Sequence, residues 1–567
     1  MWFIQSENSN QADNKFISIG MNLCSMGIVL LFTVLGLGGC KNVDKKSPQQ
    51  VFHYNEDVSV TTLDPAFVKS QSEIWIVSQI YNGLVDLNAD LQAIPSLAYR
   101  WELSNQNKTY TFHLRSDAQF CFVDKEGVVS HRQLKASDVV YSFTRIADPK
   151  TASPGAWIFS GKLDSNLNLA FQAPNDSTFV LNLLKPAASM LSLLATNFGY
   201  VVPVEFSGQD KSVLSRKPVG TGPFYLRRWE EEIKMVLRKN PHYHEKDAQG
   251  VNLPYLDAVN VTFVKNKQTA FMQFVAGSYD FFNGLEGSFK DELLTPQAQL
   301  KPKYAKKMGA IITPFLNTEY IGCYLGDSPN KTNWLQDVHL RKALLLSVDK
   351  NKLVRFFRNG LGVAGDQGFV PPQLNVQQFV SDERPSTEAW DMAVKEFQLS
   401  NYSREKVKPE IKLSTTADYL DMMVFLQETW GRLGIKVKVD IQTGGMLRQL
   451  RDEGQLELFR GSWIADYPDA ENFLACFYQP FQSPNGPNYS HFQDATFDAL
   501  YDQIESGAMS EIDRQRKIAQ ANQILMDQVP VVPLYYDKSI RLIQPWVKGL
   551  ENDAANRLVL KRVVLKR

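Results

Sequence analysis

The sequence predicts an α/β fold with more than one lobe, on three observations. A chain of 567 residues exceeds what one hydrophobic core usually serves, so two or three lobes are expected. Residues 410–440 read as strand, helix, strand: Ile411 and Leu413 alternate with polar neighbours, Tyr419 to Leu433 has helical period, Gly434 stops it, and Ile435, Val437 and Val439 alternate with Lys436 and Lys438. Leu456 to Phe459 is then a short aliphatic run leading into Arg460-Gly461-Ser462-Trp463-Ile464-Ala465-Asp466-Tyr467-Pro468. A strand that ends in Arg, Trp, Asp and Tyr puts polar groups at its exit, where open α/β sheets bind ligands. A carboxylate, a guanidinium and aromatic rings crowded into one Pro-containing turn suit a zwitterion, although such a stretch alone is also what an Asp-capped surface turn looks like.

The other elements follow in order. Val58 to Leu63 alternates before the turn signal Asp64-Pro65, and Ile74 to Leu84 has apolar residues at helical spacing. Tyr110 to Arg115 alternates as an antiparallel strand with His113 on its solvated side. Ala136 to Phe143 opens a helix at a Ser or Asp cap. Gly220-Thr221-Gly222 precedes Phe224-Tyr225-Leu226. With no Lys or helix signal at phosphate-loop spacing, it reads as a tight turn. Gln336 to Asn359 reads as one long helix starting near Asp337 and stopping at Gly360. Asn485 to Tyr489 is a turn, Thr496 to Ser506 and Glu511 to Gln528 are helices, and Pro530 to Tyr536 returns as a strand.

Composition excludes some functions. Lys plus Arg and Asp plus Glu number 61 each, so the chain offers no basic field to nucleic acid and no acidic tail. Eleven per cent aromatic residues fit an aromatic-lined pocket and fit a large core equally well. Cys121, Cys323 and Cys476 are widely spaced, which supports neither a disulfide framework nor a zinc site and leaves one bridge open to geometry. His242 and His244 form an H-x-H pair with no third ligand near them in sequence, so no metal and no cofactor is expected. Glu230-Glu231-Glu232 reads as a solvated run.

The N-terminus is of a different character. Met21 to Leu37 is almost wholly apolar, short for a membrane-spanning helix, and ends in Leu37-Gly38-Gly39-Cys40. This resembles a bacterial lipoprotein signal, which implies cleavage after residue 39 and a diacylglycerol on Cys40. A plain anchor helix is the alternative, and the chain can start at Met1 or Met21. Residues 40–50, with Lys41, Lys45, Lys46 and Pro48, suit a tether.

A set of collinear pieces resembles one family across roughly Thr62 to Pro545: the extracytoplasmic solute-binding proteins of peptide-type ABC importers. The pieces are Leu63-Asp64-Pro65, Ile80-Tyr81-Asn82-Gly83-Leu84-Val85, Pro95 to Ala98 with Trp101, Tyr110 to Arg115, and Ala136 to Val139. Pro218 to Phe224, Asn240 to Tyr243, Leu340 to Leu344 and Asp349-Lys350 continue the series. The resemblance implies a periplasmic-binding-protein-like clamshell of type II: two α/β lobes with an extra subdomain inserted in lobe I. Lobe I takes residues 51–313 and 536–567, with the insertion at about 84–205, and lobe II takes 314–535 and carries the stretch 459–474. It implies a monomer that captures a peptide between the lobes and hands it to permease subunits, extracytoplasmic and held to the membrane through Cys40. The implied ligand residues are Asp466 for the peptide α-amino group, Arg460 close enough to meet a carboxylate, in some members the ligand's own C-terminus, Trp463 and Tyr467 lining the cleft, and Asn82 and Tyr320. Asn82 stands where many relatives carry Glu, removing an acidic contact. No catalytic residue is implied.

Other readings stay open. The same scaffold binds nickel chelates, oligosaccharides, opines and haem-like ligands, so fold does not fix ligand. A stand-alone peptide-sensing surface lipoprotein would have the same sequence features. A hydrolase pairing Asp466 with Asp469 or Glu471 is the enzymatic alternative, weakened because these acids lie close enough to cap one turn.

Overall fold

The computed structural model describes residues 49–567 apart from 125, 211, 286, 328–332, 375–385 and 552. The leader, Cys40 and most of the tether lie outside the described residues. From Gln50 onward the chain forms one compact unit.

Its spine is a twelve-stranded mixed sheet. At one end, Val51–Asn55 lies parallel to Ala258–Thr262, which continues antiparallel into Lys234–Lys239 and Phe224–Glu230. At the other end, Ile411–Thr415 runs parallel to Val437–Ile441 and to Leu458–Ile464, so the strand-helix-strand reading of 410–440 is what forms, with Leu420–Arg432 as its helix. Two segments pass between these halves. Gly309–Pro314 and Asn317–Cys323 are joined by Phe315-Leu316, and Val531–Ile543 pairs with the first through its second half and with the other through its first half. The expected strand Pro530 to Tyr536 is longer because it serves both halves. Each half has its own apolar core, one around Phe52, Trp75 and Val259 and another around Trp430, Leu413 and Leu344.

A separate four-stranded antiparallel sheet, Ala98–Ser104, Thr109–Leu114, Thr178–Asn182 and Phe171–Asn175, forms the inserted body. Alternation in Thr109–Leu114 buries Tyr110, Phe112 and Leu114 and leaves His113 half-buried. The helix Ala136–Ala147 closes over this face, and Phe112, Phe143 and Phe179 pack with centroids 5.4–6.1 Å apart.

Three local expectations are corrected. Val58 to Leu63 forms no strand: Glu73, third residue of the helix Gln71–Ile80, reaches back to accept from the Thr61 amide and hydroxyl, which takes the hydrogen bonds a ladder would need. The helix at 136 is capped by Lys135, whose amide donates to Asp138 at 2.8 Å, rather than by Ser137 or Asp138 in the cap position. The stretch 336–359 breaks into Val338–Leu346 and Lys350–Phe357, because Asp349 caps the second helix by accepting from the Lys352 amide at 2.9 Å. Cys121, Cys323 and Cys476 are all buried and free, with burial pushing the first two thiols up to about 12.

Candidate functional site

The stretch that organises the site begins inside the strand Leu458–Ile464 and leaves it at Ala465. Arg460 is therefore mid-strand, and Asp466 and Tyr467 are past the end. Asp469 then caps the short helix Ala470–Leu474, accepting from the Glu471 amide at 2.9 Å, and is itself held by Arg514 at 2.7 Å. That cap places Asn472 back against the strand end. Its Oδ1 accepts from the Trp463 indole at 3.0 Å and from the Asp466 amide at 3.2 Å, while its Nδ2 donates to the Asp466 carboxylate at 3.3 Å. One buried Asn thus fixes both the conformation of the turn and the direction of the acid. Sequence reasoning missed Asn472, and its only signal is the spacing of three residues from a capping Asp.

Asp466 faces a cavity of about 260 Å³. The cavity is walled by the helix Gln71–Ile80, by the inserted body through Trp157 and Phe198, by the crossing residues Phe315 and Leu316, and by Ile464 to Pro468. Asp466 is exposed to this space, so water reaches it while much of its surroundings is of low polarity. Desolvation accordingly holds its carboxyl above the usual Asp value, with the Asn472 hydrogen bond opposing. No cation pairs with it among the described residues.

Tyr467 also lines this cavity. Its hydroxyl donates to Glu471, which accepts from Tyr501 as well, and its ring stacks on Trp157 of the inserted body at 5.7 Å and 26°. Burial, then Asp469, keeps the Glu471 carboxyl high.

The remaining expected residues are placed elsewhere. Arg460 is half-buried, pairs with the buried Glu319 and lies over the Tyr419 ring at 3.6 Å. Burial raises Glu319 despite this pairing, and Glu319 and Tyr419 keep the guanidinium charged against the same burial. Trp463 turns its indole to Asn472 and packs on the second-lobe core. Tyr320 sits in that core, 3% exposed, with its ring 5.1 Å from Phe369. Asn82 is buried, accepts from the Thr221 hydroxyl at 3.1 Å, and lines a second, smaller cavity with Tyr81 and Tyr243. His242 packs against His131 with ring centroids 4.0 Å apart and the rings tilted by 47°.

Two lobes joined by crossing strands, with a walled cavity at the crossing, define a ligand-capturing protein of the clamshell class. Residues 92–485 match the bacterial extracellular solute-binding proteins, family 5, in its middle region, and the chain belongs to that family. It is 29% identical over 524 residues to the probable deoxycholate-binding periplasmic protein YgiS of Escherichia coli K12, covering 89% of this chain and 91% of that one. To the periplasmic oligopeptide-binding protein OppA of Salmonella typhimurium it is 26% identical, covering 91% and 93%. Among solved structures, HbpA2 from Haemophilus parasuis superposes with a TM-score of 0.78 at 22% identity, over 91% of this chain and all of that one. The family is one of binding proteins rather than enzymes. No helix among the described residues is long and apolar enough to cross a membrane.

Proposed function

We propose that this protein is the binding component of an ABC importer. It captures peptides by their free amino end in the interlobe cavity and presents them to a membrane permease, and a lipid on Cys40 tethers it outside the cytoplasm. The observation that carries this reading is Asp466: a carboxylate that lines the cavity, exposed to it yet set in surroundings of low polarity, held by Asn472 and lacking a cation partner among the described residues. An α-ammonium would supply the missing charge, and once a bound ligand displaces the water around the carboxylate the pair is worth more than on the open surface. The oligopeptide-binding relative supports the same class of ligand.

The test is calorimetric titration of the purified protein with free peptides, comparing Asp466→Asn. We expect the variant to lose about 2–5 kcal/mol of binding free energy; an unchanged affinity rejects the amine-to-carboxylate contact. Because the free carboxyl is raised, acidification protonates it earlier than an ordinary Asp. Peptide affinity should therefore decline on acidification, starting from a pH above the ordinary value of 3.8. A second reading draws on the aromatic wall and the deoxycholate-binding relative: an amphipathic steroid anion. It requires Asp466 to be protonated, so deoxycholate binding should strengthen on acidification, opposite to peptide.

A further inference from the structure

We propose that Lys69 receives the ligand's carboxylate, making the cavity selective for short zwitterionic peptides; this rests on the amine-to-Asp466 reading above. Three charged side chains line the cavity: Lys69, Asp466 and Arg557. Arg557 is already neutralised. It pairs with Asp86, donates to Asp553 at 2.8 Å and donates to the Leu87 carbonyl at 3.0 Å. Arg460, the cation that sequence places nearest Asp466, is committed to Glu319 and Tyr419. Neither guanidinium can take a ligand carboxylate without abandoning a buried acid, which costs more than the new pair returns.

That leaves one acid and one base facing the same space. Lys69 is exposed, stands just before the Ser70 cap of the helix Gln71–Ile80, and has no acidic partner among the described residues. The acid closest to it along this helix, Glu73, is engaged by Thr61 and by the Ser70 amide, so it does not quench the ammonium. Lys69 and Asp466 come from opposite lobes, so a ligand that bridges them ties the lobes together, which a ligand charged at one end cannot do.

Size and polarity narrow the class further. At about 260 Å³ the space lies just under the roughly 300–1,000 Å³ of pockets for drug-sized ligands, which suits two or three residues. Its apolar lining, Ile74, Trp75, Phe198, Phe315, Leu316 and Ile464, favours apolar side chains between the two charged ends.

The experiment is titration of the intact protein with alanyl-phenylalanine in free, C-amidated and N-acetylated forms, and with a free octapeptide, repeated on Lys69→Met and Lys69→Arg. Because Lys69 is exposed, neither variant disturbs a packed side chain. Amidation should weaken binding to the unaltered protein at least about tenfold, the scale of one charge-assisted hydrogen bond. Lys69→Met should erase that difference and Lys69→Arg should keep it. Equal affinity for the free and amidated peptides, or an amidation penalty that persists in Lys69→Met, overturns the role of Lys69. An octapeptide bound as tightly as the dipeptide overturns the length limit. Insensitivity to N-acetylation instead overturns the Asp466 reading, and is read from a separate arm.

Discussion

Glu319 decides what Arg460 can do. The acid is 5% exposed and its counter-charge is the Arg460 guanidinium, which is stacked on Tyr419 and so has little freedom to leave. The Asn317 side chain adds a weaker donor at 3.3 Å. Two buried charges in this arrangement contribute little net stability together, yet removing one strands the other in a medium that cannot solvate it. Glu319→Ala is therefore expected to lower the free energy of unfolding by about 3–5 kcal/mol, read from urea denaturation, whereas a loss near zero would mean that water or another acid reaches Arg460. The pair also marks a limit of reading from sequence. The family resemblance offers Arg460 a carboxylate, in some members the ligand's own, but does not name Glu319, which is 141 residues away and sits in a fully buried strand, where no local pattern distinguishes it from its neighbours.

Among the elements, the helix Gln71–Ile80 supplies most of one cavity wall, and its end is fixed by a glycine turn from elsewhere in the chain. A Cβ on Gly222 would stand 2.4 Å from the Ile80 carbonyl carbon and 2.7 Å from the Gln79 carbonyl oxygen, and the Gly222 amide donates to the Ile80 oxygen at 2.8 Å. These are backbone atoms at a helix terminus and cannot rotate aside as a side chain would. Gly222→Ala should cost about 1–3 kcal/mol, checked by thermal and urea unfolding, and should weaken ligand binding as the helix end shifts; full stability would show that the turn can retreat. The turn itself is legible from Gly220-Thr221-Gly222, but its reason is not, since close approach is a tertiary fact. The same division holds elsewhere. Strand, helix and strand in 411–441 can be read because periodicity and Gly434 agree with the fold, and Glu511–Gln528 forms as its pattern indicates. The break at Ser347 to Asp349 is hidden because apolar spacing continues across it, while the Asp349 side chain caps a new helix there. Asp466 can be singled out as an acid at a strand exit, while Lys69 has no sequence signal, since its significance depends on which other cations are already paired.

At the scale of the molecule, the lobes are held at opposite margins of the cavity by contacts of different kinds. On one side the backbone crosses, and the crossing is pinned at Asp537, which accepts from Arg358 at 2.6 and 2.8 Å and whose amide donates to Asn317 at 2.8 Å. On the other side the contacts include the stack of Trp157 on Tyr467, the pair of Lys185 with Glu505 at 2.9 Å, and the Ala188 amide donating to the Glu505 carbonyl at 3.0 Å. The covalent side can act only as a hinge, and the non-covalent side can separate without breaking a strand. Lys185 is exposed, so its ion pair contributes little, and the aromatic stack contributes more, about 0.5–1.5 kcal/mol beyond the area it buries. Tyr467 is braced by Glu471 in the second lobe, so the stack forms only when Trp157 is carried to it. Trp157→Ala should shift the unliganded protein toward a wider opening, seen as a larger radius of gyration in small-angle scattering. Saturating peptide should restore the compact profile at a cost in affinity of about 0.5–1.5 kcal/mol. If the scattering of the variant matches that of the unaltered protein with and without ligand, the crossing strands alone set the angle between the lobes and the stack is incidental to closure.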